Sequence, residues 1–297
     1  MYLLNLKEAV RSNAEGFSYL IDIYDNIKSQ EDREVLLVFD HCQHIDANLA
    51  AMLGSILDDL TDKGFKIQLT RPSVCQVRDS LSRNRFFRAF NPECDATDTE
   101  NFIEYRKFSS YESEAFKSYI DTQLIKKQRF PAHTEQAGYH IRESIMEIFV
   151  NAVFHGECTY VYSCGEYHPH KTPPCLDMTI VDRGNTIPFK VNSFITKRGW
   201  QPLSPCEAIR WALKEGNTTK DIPGGLGLAD LMEFLKLNQG ALQIVSGSGM
   251  VEYQDGELKN FKLIKPFSGT VVNMEFNFND DKNYRLADEP IDLLNLL

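Results

Sequence analysis

The feature that most limits what this chain can become is a helix-length run from about Gln136 to Phe154. It carries Glu143, Glu147, Asn151 and His155, each four positions after the last. Four residues rise ~6 Å along an α-helix and turn slightly past one revolution, so these side chains form one polar stripe. The other faces carry Ile141, Ile145, Ile148, Phe149, Ala152 and Val153, the composition of a helix buried in a core. Carboxylates and amides on so apolar a helix are costly unless satisfied. Either the stripe is a solvated face, or it meets a cation, phosphate oxygens and water.

Two segments further along the chain bear on that choice. Thr179 to Asp182 is an apolar strand ending in an acid, followed by Gly184, which permits a tight turn or close backbone approach. Such an Asp can accept from an exocyclic amine, although a lone Asp-x-Gly also marks an ordinary turn. Gly216 to Leu228 brings Thr218, Thr219, Lys220, Gly224, Gly225 and Gly227 to the mouth of an apolar helix, Leu228 to Leu237. Glycines there let backbone N–H groups reach an anion, helped by the helix dipole. The spacing is neither that of a P-loop nor that of a dinucleotide fingerprint.

The order Glu147-x-x-x-Asn151, Asp182-x-Gly184, Gly225-Leu-Gly227-Leu228 and Ser268-Gly-Thr270 resembles one superfamily. It is the Bergerat-fold, histidine-kinase-like ATPase domain shared by gyrase, the heat-shock chaperone, histidine kinases and mismatch-repair ATPases, and the resemblance covers about residues 110 to 280. It implies ATP and Mg²⁺ as ligands. It further implies Asn151 as the Mg²⁺ ligand, Glu147 as the general base, and Asp182 as acceptor of the adenine amine, supported by Thr270. Gly184 would let the base approach. Gly225, Gly227 and Leu228 would offer backbone donors to the phosphates, and Lys220 would touch the outermost one. His155 is read as a neighbour of these groups that touches no ligand itself. The chain departs from the family at Thr186, where a second Gly is common, and at Pro223, where the glycine triplet usually begins. Residues between Pro188 and Gly224 correspond to the family's lid. A helix is expected in it, with Ser204 as N-cap, Pro205 in its first turn, Glu207 completing a capping box and Gly216 at its end.

The expected fold of this part, residues 110–297, is an α/β sandwich with helices on one side of a mixed sheet. Its elements are a helical region from about Ser109 to Lys127, the long helix, strands at Thr159–Ser163, Leu176–Asp182 and Leu242–Ser246, and last strands near Glu257–Ile264 and Thr270–Phe278.

The first 95 residues read as a smaller α/β unit. Phe17 to Ile27 has helical spacing, Val35 to Asp40 is a buried-type strand, and Asp46 is the expected N-cap of a helix over Ala47–Asp62 closed by Gly64. A strand at Phe65–Thr70 completes a parallel strand–helix–strand unit. Leu36 to Asp40, His44 to Leu53 and Gly64 to Leu69 together resemble the STAS domain of anti-sigma-factor antagonists. That family carries a phosphorylatable Ser just after the Asp, whereas Ala47 and Asn48 follow Asp46 here. The resemblance therefore implies a docking or sensing module, meeting a protein partner, that is not itself a kinase substrate. The polar stretch Asn91–Glu100 marks the boundary, with a linker expected over residues 96–109.

Lys and Arg total 32 against 42 Asp and Glu, a formal net charge of −10, which argues against nucleic acid as a partner. The cluster Arg78, Arg83, Arg85 and Arg88 is read as a solvated or interdomain surface. Seven cysteines with no Cys-x-x-Cys pair suit a reducing compartment. Met1 to Val10 lacks the pattern of a secretory signal, and apolar runs such as Val35–Phe39 are far short of the ~20 residues of a membrane span, so a cytoplasmic location is expected. Cys164, His168, His170 and Cys175 are a candidate zinc set. His133 and His140 do not sit in a histidine-kinase acceptor sequence. Two functions of different class remain: an ATPase or anti-sigma-type serine kinase, and a regulatory binder whose lid is set by ATP. An oligomer is compatible with either.

Overall fold

A computed structural model of the chain describes residues 1–72, 75–91, 101–127, 130–219, 227–278, 282–286 and 289, with backbone alone at 75 and 76. In the first unit β1 (Tyr2–Asn5) and β2 (Ala9–Val10) precede α1 (Ala14–Lys28), whose N-cap Asn13 accepts from the Gly16 amide at 2.9 Å. Next come β3 (Glu34–Val38), β4 (His44–Ile45), a single 3₁₀ turn at Ala47–Leu49 and α2 (Ala50–Asp62). β5 (Lys66–Leu69), α3 (Cys75–Arg83) and α4 (Phe86–Phe90) complete the unit. β3 lies between β1 and β5 and is parallel to both, as a helix crossover between strands requires. Gly64 closes α2 in the left-handed region, at φ +87°.

Asp46 does not cap the helix that follows it. Its carboxylate lies 2.7 Å from His44 Nε2 and accepts from the Ser12 amide at 2.6 Å, so the stronger partners have drawn it away. The helix opens through the 3₁₀ turn instead. Two of the clustered arginines have acidic partners, with Arg85 2.9 Å from Glu104 and Arg78 3.5 Å from Asp79.

The second part runs β6 (Phe102–Ser109), α5 (Ser113–Ile120), a π turn (Asp121–Ile125), α6 (Glu135–Phe154), β7 (Tyr160–His168) and β8 (Cys175–Asp182). It continues with α7 (Ile187–Thr196), α8 (Pro205–Ala212), α9 (Gly227–Leu237), β9 (Ala241–Gln254) and β10 (Glu257–Asn277). The expected linker divides: 96–100 lie outside the described residues, and 102–109 form β6, the edge strand of the main sheet.

That sheet has the order β6-β7-β8-β10-β9, and every neighbouring pair is antiparallel. The expectation of a mixed sheet is therefore corrected. β8 and β9 do run the same way, but β10 lies between them, so each ladder is antiparallel. The β9–β10 turn uses Asp255 and Gly256 at φ +54° and +82°, a pair of left-handed residues suited to a two-residue hairpin. The two last strands expected are one long β10, bent where its register shifts between Lys262 and Thr270.

Alternation along these strands makes two faces. Met178, Ile180, Ile244, Val272 and Met274 face a core shared with α5, α6 and α9. Tyr162, Cys164, Val181, Val245 and Val271 join the core of the first unit, whose α1 and α2 lie on that side. β8 is consequently buried along its whole length, covered on both faces although its ladders are antiparallel.

Candidate functional site

Thr134 caps α6 by accepting from the Ala137 amide at 3.1 Å, which fixes where the polar stripe begins its course through the core. The stripe then splits. Glu143 is half exposed and sits between Lys117 at 3.5 Å and Arg142 at 3.4 Å, a solvated ion cluster. Glu147, Asn151 and His155 line a single cavity together with Asp182, Leu228 and Thr270. Counted out to its open mouth, solvent space included, the cavity holds about 840 Å³. Ile148, Ile187, Val191, Trp211 and Val272 make its apolar wall.

Asp182 ends β8 directly opposite Thr270 of β10. Asp182 is 6% exposed, and the Gly184 amide donates to its Oδ1 at 2.9 Å. Burial pushes its carboxyl up to about 7, against the pull of backbone N–H donors at Gly184 and Thr270. Thr270 Oγ1 shares a hydrogen bond with Ser246 Oγ at 3.0 Å, and the Ile187 amide donates to the same Ser246 oxygen at 2.9 Å. The strand ends and the start of α7 are thus tied into one wall.

Three glycines here are held in close contact with backbone. A Cβ on Gly184 would lie 2.1 Å from Gly156 O, one on Gly156 would lie 2.4 Å from Ala152 O, and one on Gly269 would lie 2.0 Å from Asp182 O. Gly184 is therefore required by the crossing of the α6 end under the Asp182 turn. The spacing of Asp182-x-Gly184 allowed a tight turn or a close approach; its partner Gly156 carried no signal of its own.

Glu147 meets the start of α9. The Gly227 amide donates to Glu147 Oε2 at 2.7 Å, and a Cβ on Gly227 would lie 2.2 Å from that oxygen. A carboxylate is stabilised there by the unpaired N–H groups and the dipole of the helix. Leu228, the next residue, lines the cavity, whereas Lys220 and Gly225 lie outside the described residues. His155 Nδ1 is 3.3 Å from Thr219 Oγ1, which joins the end of α6 to the loop before α9.

Among its described residues the expected lid segment contains two helices. Thr186, standing where the family has a second Gly, caps α7 by accepting from the Phe189 amide at 3.2 Å and also lines the cavity. The capping box of α8 forms as expected, with the Ser204 amide donating to Glu207 Oε2 at 2.8 Å. Trp211, on α8, and Lys190, on α7, reach the cavity without having been singled out in the sequence. The lone Trp on a helix so strongly capped was the available signal. Lys190 Nζ lies 2.5 Å from Glu157 Oε1 at the rim.

The candidate zinc ligands do not converge. Cys164 donates its thiol to Asn48 O at 3.2 Å, four positions along β7 from His168, and His170 is exposed. His168 Nε2 lies 2.7 Å from Asp177 Oδ2, and Asp177 pairs Cys175 with Glu275 in an acidic cluster. Lys171 Nζ sits 3.1 Å from Glu275 and 3.6 Å from Asp177, so an ammonium already balances that cluster. The tail Ile291–Leu297 lies outside the described residues.

No family model matches the chain, and a search of curated proteins finds no match either. No helix among the described residues is long and apolar enough to cross a membrane.

Proposed function

We propose that the cavity binds an adenine nucleotide with Mg²⁺, and that the chain is a histidine-kinase-like ATPase that hydrolyses ATP or phosphorylates a protein partner as an anti-sigma-type serine kinase. One observation carries this reading: Glu147, Asn151, Asp182, Leu228 and Thr270, five residues named from four separate motifs, line one cavity. The donor set suits the ligand. Asp182 offers a buried acceptor to an exocyclic amine, the apolar wall with Trp211 suits the faces of a base, and the α9 start suits an anion.

Asn151 would hold Mg²⁺, which takes oxygen ligands and commonly keeps waters and phosphate oxygens for the rest of its shell. Bound there, the metal would neutralise phosphate charge. Glu147, one helical turn before Asn151, would orient a water and take its proton. Asp182 and Thr270 would fix the base, and Thr218 and Thr219 would close the cavity toward solvent.

Calorimetric titration with MgATP tests the reading, with an arm in excess chelator. Saturable binding that weakens without Mg²⁺ is expected, and absence of binding by the pure wild-type chain overturns it. The contact between Glu147 and the Gly227 amide favours a second reading, a nucleotide-gated binder without turnover, because the expected base is engaged in holding α9. Phosphate release by the wild type, alone and with candidate partners, separates the two.

A further inference from the structure

The first unit grips the two strands that carry Asp182 and Thr270, and it does so at two separate places. Asn48, in the turn that opens α2, is wholly buried against the sheet. Its Nδ2 donates to Thr179 Oγ1 at 3.1 Å and to Asn273 Oδ1 at 2.9 Å, while its Oδ1 accepts from Ser12 Oγ at 2.9 Å. Thr179 and Asn273 are opposite each other in the β8–β10 ladder, three positions from the Asp182–Thr270 pair. The bonds then close into a ring. Thr179 Oγ1 donates to Asn273 Oδ1 at 2.7 Å, Asn273 Nδ2 donates to Gln243 Oε1 at 3.1 Å, and Gln243 Nε2 returns to Ser12 O at 2.9 Å.

The second grip is on the Asp182 turn itself. Arg183, between Asp182 and Gly184, lies with Nη2 3.3 Å from Asp59 Oδ2 of α2. Its guanidinium stands 4.4 Å from the Tyr24 ring centre on α1 and 5.3 Å from that of Phe267. A planar guanidinium stacked and paired in this way holds one orientation.

We propose that the first unit positions the base-reading pair, with Asn48 and Arg183 as positioning residues that act through β8 and β10. This rests on the nucleotide reading above and adds to it a role for the first unit. A fully satisfied buried amide ring has one arrangement, so it rigidifies the strands it joins. An acceptor displaced by about 1 Å loses much of its value to a bound ligand. The unit lies on the face away from the cavity, so neither Asn48 nor Asp59 lines it.

The test compares the full-length wild type with Asn48→Ala, Arg183→Met and Leu53→Ala. Leu53 is buried in the first unit's own core and makes no bond in the ring. MgATP affinity is measured by calorimetry where every variant is folded. Hydrogen exchange at the Gly184 and Thr270 amides is followed without nucleotide. Asn48→Ala and Arg183→Met should each weaken MgATP by roughly 3- to 30-fold and speed exchange at those two amides by about tenfold or more. Leu53→Ala should change neither by more than about twofold. Should Asn48→Ala fail to fold, Ser12→Ala, which only unseats the Asn48 carbonyl, should shift both readouts in the same direction by less. The proposal is overturned if Asn48→Ala and Arg183→Met bind like wild type, or if Leu53→Ala loses as much as they do. Wild type that binds no MgATP overturns the nucleotide reading instead, and unchanged exchange in both positioning variants then overturns the mechanical claim independently.

Discussion

The two faces of the five-stranded sheet both bury polar side chains, and they treat them in opposite ways. On the face toward the first unit, Asn48, Thr179, Asn273 and Gln243 bond to one another. On the face toward α6, Asp182 receives two backbone N–H groups and otherwise looks into open cavity. Closed polar groups specify how two units dock; a buried carboxylate left facing space is costly in the free protein and is the mark of a site. The difference can be broken or sharpened by experiment, beginning with the largest effect.

Glu147→Gln tests the cavity face most severely. If Glu147 orients water, the variant should lose ~10²–10⁴-fold in ATP turnover, the usual worth of a positioned general base. Gln keeps an oxygen for the Gly227 amide, so α9 stays anchored and MgATP affinity should change little. Glu143→Gln, already solvated between Lys117 and Arg142, should turn over at the wild-type rate. The reverse pattern between the two variants would move the base to Glu143. Next in size is Asn151→Ala, which should remove most of the Mg²⁺-dependent part of binding while leaving the Mg²⁺-free affinity in place. Titrations with and without chelator measure both.

What the sequence disclosed follows the same division. The α6 stripe, the Asp182 turn and the Ser204 capping box were legible because each is written within a few consecutive residues. Asp46 misled for a local reason: an Asp before a helix looks like a cap, and only folding brings Ser12 and His44 to claim it. The docking of the first unit was not legible at all. Asn48 finds Thr179 and Asn273 at separations of 131 and 225 residues, and on a strand each reads as one more polar position. β6 escaped because its strand follows a polar stretch and its partner β7 is more than fifty residues downstream. Lys220 and Gly225, legible as an anion-binding pattern, fall outside the described residues.

Substitutions that remove one polar group from each face should act on stability with opposite sign. Asn273→Leu takes one acceptor from Asn48 Nδ2 and from Thr179 Oγ1 and leaves Gln243 Oε1 without its donor in a buried site, which costs about 1–3 kcal/mol. Asp182→Asn removes a buried charge while an amide oxygen can still accept from Gly184, so the nucleotide-free chain should gain roughly 1–3 kcal/mol at pH 8. The same variant should lose adenine-nucleotide binding. Chemical denaturation measures the first two and calorimetry the third. A destabilised Asp182→Asn would mean that its carboxylate is a structural group like those on the other face.

The smallest effect is the pH dependence that this contrast implies. The Asp182 carboxyl titrates near 7 in the folded chain against an ordinary value of 3.8. Between those values the folded state holds a proton that the unfolded state has released. Its contribution to stability is therefore fully present below about pH 4 and is lost as pH rises through 7. Binding runs the other way, because the ionised form is the better acceptor for an amine. MgATP affinity should fall as pH drops below 7, by at most about tenfold per unit, while the nucleotide-free chain grows relatively more stable. Burial disfavours the charged form of His168, but its bond to Asp177 raises it overall, so His168 adds a pH dependence of its own and total stability against pH is a mixture. Subtracting the curve of Asp182→Asn isolates the one group: the difference should grow from pH 5 to pH 8 and then level. A flat difference would place the carboxylate in water, and the contrast between the two faces would then rest on geometry alone.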